Sequence, residues 1–251
     1  MTITLLILTF SLFFLVAALY SSIGHAGASG YLAIMALLSF APAAIKPTSL
    51  VLNILVASIA TYKFIKAGYF DRKIFLSFII TAFPMAFLGG YLAIGPQYFK
   101  LLAGLFLVVS AMLLIVKEYL KAPSAANGTM PLYWGLGLGA VIGLVSGLIG
   151  VGGGIFLSPI IIMANWTTVK KASGIAALFI LCNSLAGLAG HFSSLNKIDG
   201  NIFYWVVAVL LGGFIGSHFG TAKFNNRIIT YCLFLVLLTA GLKFIFVDFA
   251  K

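Results

Sequence analysis

Between Pro131 and Asn165 the chain carries no Lys, Arg, Asp, Glu or His, and inside that run stands Gly150-Val151-Gly152-Gly153-Gly154, followed by Ile155-Phe156-Leu157-Ser158-Pro159. An uncharged run of this length exceeds the about 20 residues that one helix needs to cross a bilayer. The glycines therefore divide it. Each costs about 1 kcal/mol in a helix interior relative to Ala, and four within five positions end a helix while letting a ligand approach the backbone. Bare peptide groups cannot face lipid, so a break at this depth must be buried in protein or line a polar cavity.

The same device occurs earlier. From Met1 to Ile45 there is again no acidic residue, Lys or Arg, and Ser21-Ser22-Ile23-Gly24-His25-Ala26-Gly27-Ala28-Ser29-Gly30 interrupts the apolar sequence. With 63% hydrophobic residues, 8% charged residues and a mean hydropathy of +1.19, too little polar surface remains for a soluble globule. The apolar segments are helix-length, unlike the short alternating strands of an outer-membrane barrel. The expected fold class is all-α, a polytopic membrane helical bundle.

Charges, Gly/Pro breaks and span length together place about ten segments, near 3–21, 28–44, 47–66, 74–95, 98–117, 132–149, 152–166, 171–191, 202–219 and 227–247. A linker, 118–131, separates a first membrane repeat, 1–117, from a second, 132–251. Ile23-Gly24 followed by Gly27 answers Ile149-Gly150 followed by Gly153, and Ile45-Lys46 with Ser49 answers Val169-Lys170 with Ser173. Phe70-Asp71 likewise answers Ile198-Asp199. Five segments per half is an odd number, so the second half is expected to run opposite to the first, an inverted repeat.

The 15 Lys and Arg against 4 acidic residues are scattered through short loops, a topology signal and not a nucleic-acid surface. Most stand after the third, fifth, seventh and ninth segments. The positive-inside rule then puts that side in the cytoplasm and both termini outside. Cys182 and Cys232 lie in apolar segments and read as buried reduced thiols.

All four acidic residues, Asp71, Glu118, Asp199 and Asp248, fall in loops or at segment ends. A cation site or carboxylate proton relay would place one at membrane depth. A small anion fits better, since backbone N–H groups at helix starts and Gly-rich nests can hold it. The substrate-binding candidates are Gly27 and Ser29 at the start of the second segment and Gly152, Gly153 and Gly154 at the start of the seventh. Ser49 and Asn53, spaced i, i+4, share a face of the third segment, and Ser173 is the counterpart of Ser49. Lys46-Pro47 is expected to open that third segment, because Pro suits a first helical turn.

His25 stands within the first break where the second has Val151, and is the candidate for proton coupling. Lys46 and Lys170 read as interface lysines, and His191 and His218 as interfacial histidines at segment ends. The three His and two Cys show no metal spacing, and the glycine run lacks the Gly-Lys-Ser/Thr of an NTPase loop. No enzyme, cofactor or metal is expected. The expected partners are a small anionic substrate and the lipid bilayer, not nucleic acid, with a homo-oligomer as an open option.

At Gly150-Val151-Gly152-Gly153-Gly154-Ile155-Phe156-Leu157-Ser158-Pro159, and again at Lys46-Pro47-Thr48-Ser49-Leu50, the sequence resembles the sulfite exporter family of bacterial membrane proteins, TauE/SafE. The likeness covers nearly the whole chain. It implies two related membrane halves and a permease of the bacterial inner membrane for sulfite or a related sulfur anion or organosulfonate, driven by an ion gradient. The residues alone reach a transporter with an acid-free interior. A passive anion channel and a non-transporting membrane scaffold are the competing readings.

Overall fold

The computed structural model describes residues 3–22, 25–119, 130–192, 198, 200–219 and 226–248. Among the described residues ten α-helices and no strand follow one another. They are α1 (Ile3–Ser22), α2 (Ala28–Leu37), α3 (Pro42–Lys66), α4 (Arg72–Tyr91), α5 (Pro96–Tyr119), α6 (Leu132–Ile149), α7 (Gly154–Met163), α8 (Val169–Gly190), α9 (Ile202–Phe219) and α10 (Asn226–Leu242). A π-helical stretch, Lys243–Asp248, continues α10. The protein is the expected all-α polytopic bundle. Most of the expected linker, 120–129, lies outside the described residues.

α1, α3, α4, α5, α6 and α8 are long and apolar enough to cross a membrane. α2 and α7 have 10 residues each, about 15 Å of helix at 1.5 Å per residue and roughly half a hydrocarbon core.

The boundary between α2 and α3 departs most from the sequence reading. α3 starts at Pro42 and α2 stops at Leu37, so Pro47 lies inside α3 instead of opening it. Pro42 takes the first-turn position after extended Ala41. Ser39, at φ 58, turns the chain left-handed, and the Phe40 N–H donates to the Met35 carbonyl at 2.9 Å, the bond that seals a left-handed helix stop. α7 ends in the same way, with Asn165 at φ 56 and the Trp166 N–H on the Ile161 carbonyl at 3.1 Å. Ser39 stands as far beyond Gly27 as Asn165 does beyond Gly153. Lys243 reinforces the first stop. Its Nζ donates to the carbonyls of Ala36 at 2.7 Å and Leu37 at 2.9 Å and to Ser39 Oγ at 2.7 Å, placing a cation on a helix C-terminus.

α1 packs on α9 as α6 packs on α4, α3 meets α9 as α8 meets α4, and α3 and α8 cross each other at the centre. Exchanging the first five helices for the last five maps these pairings onto themselves. Small residues permit the closest of them. Gly139, Gly143 and Gly147 of α6 lie on the carbonyls of Phe78, Ala82 and Ala86 of α4, and Gly212 and Gly216 of α9 lie on those of Phe14 and Ala18 of α1. An aromatic lock joins α1, α9 and the α2 stop. The fully buried Trp205 donates from Nε1 to Thr9 Oγ1 at 3.2 Å, and its ring sits 5.4 Å from Phe13 and 5.5 Å from Phe40.

The outer surface stays apolar. Leu102, Leu105, Val109, Met112 and Val116 form an exposed stripe along α5 at helical spacing, which a bilayer and not water would cover. α10 presents Tyr231 and Leu235 outward beside Cys232. Cys232 is therefore exposed and only Cys182 partly buried, which corrects the reading of both as buried thiols.

Candidate functional site

α2 and α7 both begin inside the protein. Gly27 precedes α2 at φ 96 and Gly153 precedes α7 at φ 73, while Gly150 closes α6 at φ 87. Left-handed backbone costs other L-residues about 1–2 kcal/mol, so glycine at these points is what lets two segments turn back within the core. His25, Ala26 and Gly27 from the first break and Val151, Gly152 and Gly153 from the second wall the same small cavity of about 20 Å³. Tyr20, Asn53, Phe106 and Ile180 complete it from α1, α3, α5 and α8.

The first N–H groups of a helix lack intrahelical acceptors, and a helix N-terminus carries roughly half a positive charge. Two such ends share this cavity, and no acidic residue is among its described lining. Of the acids with a described side chain, Asp71 is the N-cap of α4, where Oδ1 accepts from the N–H groups of Lys73 at 3.0 Å and Ile74 at 3.2 Å. That carboxylate serves the helix end.

Side chains hold each break in shape. Tyr31 donates its hydroxyl proton to the Ala26 carbonyl at 3.0 Å, and Tyr20 Oη lies 2.8 Å from Ser29 Oγ. In the second break Ser146 Oγ donates to the Val151 carbonyl. Asn53 joins the halves through Nδ2, which donates to Ser184 Oγ at 2.8 Å, while Oδ1 is buried without a hydrogen-bond partner. A Cβ on Gly152 would stand 2.7 Å from Asn53 Nδ2, so glycine there is what admits the amide to the break. Ser184 can accept or donate, so the Asn53 amide can turn either end to the cavity.

Of the residues singled out in the sequence, Gly27, Ser29, Asn53, Gly152, Gly153, Gly154 and His25 all line this cavity. Ser49 does not. It lies one turn before Asn53, fully buried, with Oγ unpartnered. Ser173 lies near the start of α8, buried and outside the lining. Sequence reasoning missed Tyr20, Phe106, Ile180 and Ser184. Phe106 and Ile180 are indistinguishable from ordinary core. Ser184 carried a signal, since Asn183-Ser184 is a polar pair in the interior of an apolar helix, where such groups seek partners on another helix.

Lys46 is buried near the start of α3 at 7% exposure, whereas its counterpart Lys170 is exposed and donates to Tyr69 Oη at 3.3 Å. His191, just beyond the end of α8 as expected, is 8% exposed. The side chain of His218 lies outside the described residues.

The family profile described as Sulfite exporter TauE/SafE matches residues 9–244. A probable membrane transporter protein of Sinorhizobium fredii is 39% identical over 233 residues, 92% of this chain and 94% of that protein. A probable membrane transporter protein of Bacillus subtilis is 23% identical over 79% of each chain. One from Methanocaldococcus jannaschii is 26% identical over 59% of this chain and 55% of that protein. No solved structure matches. A profile spanning almost every helix, with its two glycine breaks meeting at the centre of the bundle, assigns this chain to the sulfite exporter TauE/SafE family.

Proposed function

We propose that this protein is a permease of the cytoplasmic membrane for a small sulfur-containing anion such as sulfite or an organosulfonate, driven by an ion gradient. The observation that carries the reading is the convergence of two buried helix N-termini, α2 and α7, beside the Asn53 amide on one cavity with no acid among its described lining. An anion there gains from peptide N–H groups and helix dipoles, and a cation would lose. In this reading the halves 1–117 and 132–251 are inverted repeats, with the site where interrupted helices of both meet and both termini outside. The matching helix stops and the exchange-symmetric packing support the repeat.

The size of the cavity favours a carrier over an open pore. About 20 Å³ holds little more than a water, so an anion enters only when the breaks part, which is an alternating-access step. The test is sulfite flux into and out of proteoliposomes, with sulfate, thiosulfate and a small sulfonate as competitors and an imposed pH gradient. Saturable flux with counterflow is expected. Absence of any sulfur-anion flux from folded protein would overturn the substrate, and flux without saturation would replace the carrier with a channel.

A further inference from the structure

A second, larger cavity opens at the end of the bundle where α3 begins and α4 and α8 finish. Its volume is about 330 Å³, within the size range of small-molecule sites. Its titratable lining groups are Lys46 on α3, Tyr91 at the end of α4 and His191 after α8, and α5 contributes Pro96 and Phe99. No acidic residue is among the described lining. Lys46 Nζ stands 5.0 Å over the Phe99 ring, and no described carboxylate pairs with it. His191 is 92% buried in the sense that only 8% of it is exposed, and its Nε2 has no hydrogen-bond partner.

A buried cation beside an unanswered imidazole nitrogen is costly unless something negative completes it. The inner cavity lies close by. Gly150 packs on the Lys46 backbone, where a Cβ would meet Lys46 Cα at 2.9 Å, and Asn53 stands two turns along α3 from Lys46. The second repeat offers no equivalent, because Lys170 is exposed and engaged by Tyr69.

We infer that this vestibule is a second anion site, in which Lys46 and His191 bind a small doubly charged oxyanion one step away from the glycine-break site. Lys46 supplies positive charge and His191 supplies a hydrogen bond from Nε2. Burial, and after it the charge of Lys46, pushes the His191 imidazole down to about 4, so it is neutral at pH 7. An anion between the two groups reverses that balance. His191 then takes up a proton as the anion binds, and binding tightens as pH falls. The substrate role of the vestibule rests on the permease reading; its anion chemistry does not.

The test is binding of sulfate, which stays fully ionised across neutral pH, to the full-length protein in lipid-free detergent. It is followed by the imidazole ¹⁵N resonances, with His191 identified by its loss in His191→Gln. Sulfate is expected to move the His191 resonance toward the protonated form, with about tenfold weaker binding in Lys46→Met and near-normal binding in Lys46→Arg. The affinity should rise from pH 8 to pH 6 in the wild type, and more steeply than in His191→Gln, where only Lys46 still gains a proton on that side of the cavity. A His191 resonance unmoved by sulfate in protein that elutes as a folded species overturns the site. So does a response that needs added phosphatidylglycerol, which would make the ligand a lipid headgroup. Sulfite flux measured in parallel separates the two proposals: binding without flux sinks the permease reading and keeps the vestibule, and flux without binding does the opposite.

Discussion

The two glycine breaks perform the same turn with different chemistry. Around Gly27 the loop is tied by side chains, with Tyr31 on the Ala26 carbonyl and Tyr20 against Ser29, and it contains the buried imidazole of His25. Around Gly153 the turn is made almost wholly of backbone, with Gly150 and Gly153 both left-handed and Ser146 the one described side chain donating to a loop carbonyl. Paired breaks thus leave one wall of the cavity free to specialise. The backbone wall supplies N–H groups without discrimination, and the side-chain wall can carry a proton or set affinity.

The largest expected effect falls on the backbone wall. Gly153→Leu combines left-handed strain of about 1–2 kcal/mol with overpacking of about 1–3 kcal/mol, because its Cβ would meet Ile142 at 2.8 Å. Both folded yield on size exclusion and sulfite flux should fall, flux by about a hundredfold. Gly27→Leu should lose folded protein too, since its Cβ would stand 2.8 Å from the buried Tyr31 hydroxyl that bonds Ala26, but it should keep more flux because the second break's N–H groups stay in place. Equal losses at the two positions would remove the contrast between the breaks.

Asn53→Ala tests the group that spans both walls. It should lower sulfite flux about tenfold or more while costing about 1 kcal/mol of thermal stability, and Ser184→Ala should cost flux only a few-fold. Wild-type flux in Asn53→Ala would leave the cavity without its polar recognition element.

His25→Gln probes the specialised wall more gently. Counterflow of labelled sulfite should continue within about threefold of wild type, whereas accumulation against a gradient driven by pH should disappear. If accumulation persists, the proton is carried elsewhere and the polar character of the first break concerns packing alone. Smallest is Tyr20→Phe, which removes the bond to Ser29 and should raise the half-saturating sulfite concentration about two- to threefold.

Much of the molecule is legible in one dimension. The absence of charge between Pro131 and Asn165 requires membrane helices, the glycines require that a helix break there, and the recurrence of the pattern near Gly27 announces a partner for that break. These signals are local: span length, helix propensity and left-handed turns depend on residues within a few positions of one another. Even so, Pro47 misled, because a proline favours a first turn but does not exclude a later position when Pro42 upstream starts the helix.

What the tertiary structure alone decided is which faces meet. Nothing in the spacing of Asn53 and Ser184 says that α3 and α8 cross with those two side chains in hydrogen-bond range. The sequence made Lys46 and Lys170 equivalents, yet the packing of the α4–α5 connection over the start of α3 buries the first, while Tyr69 engages the exposed second. Burial and partnership are properties of opposed surfaces brought together from distant parts of the chain. Helical pattern therefore determined where this protein bends inside the membrane, and only packing determined what the bends enclose.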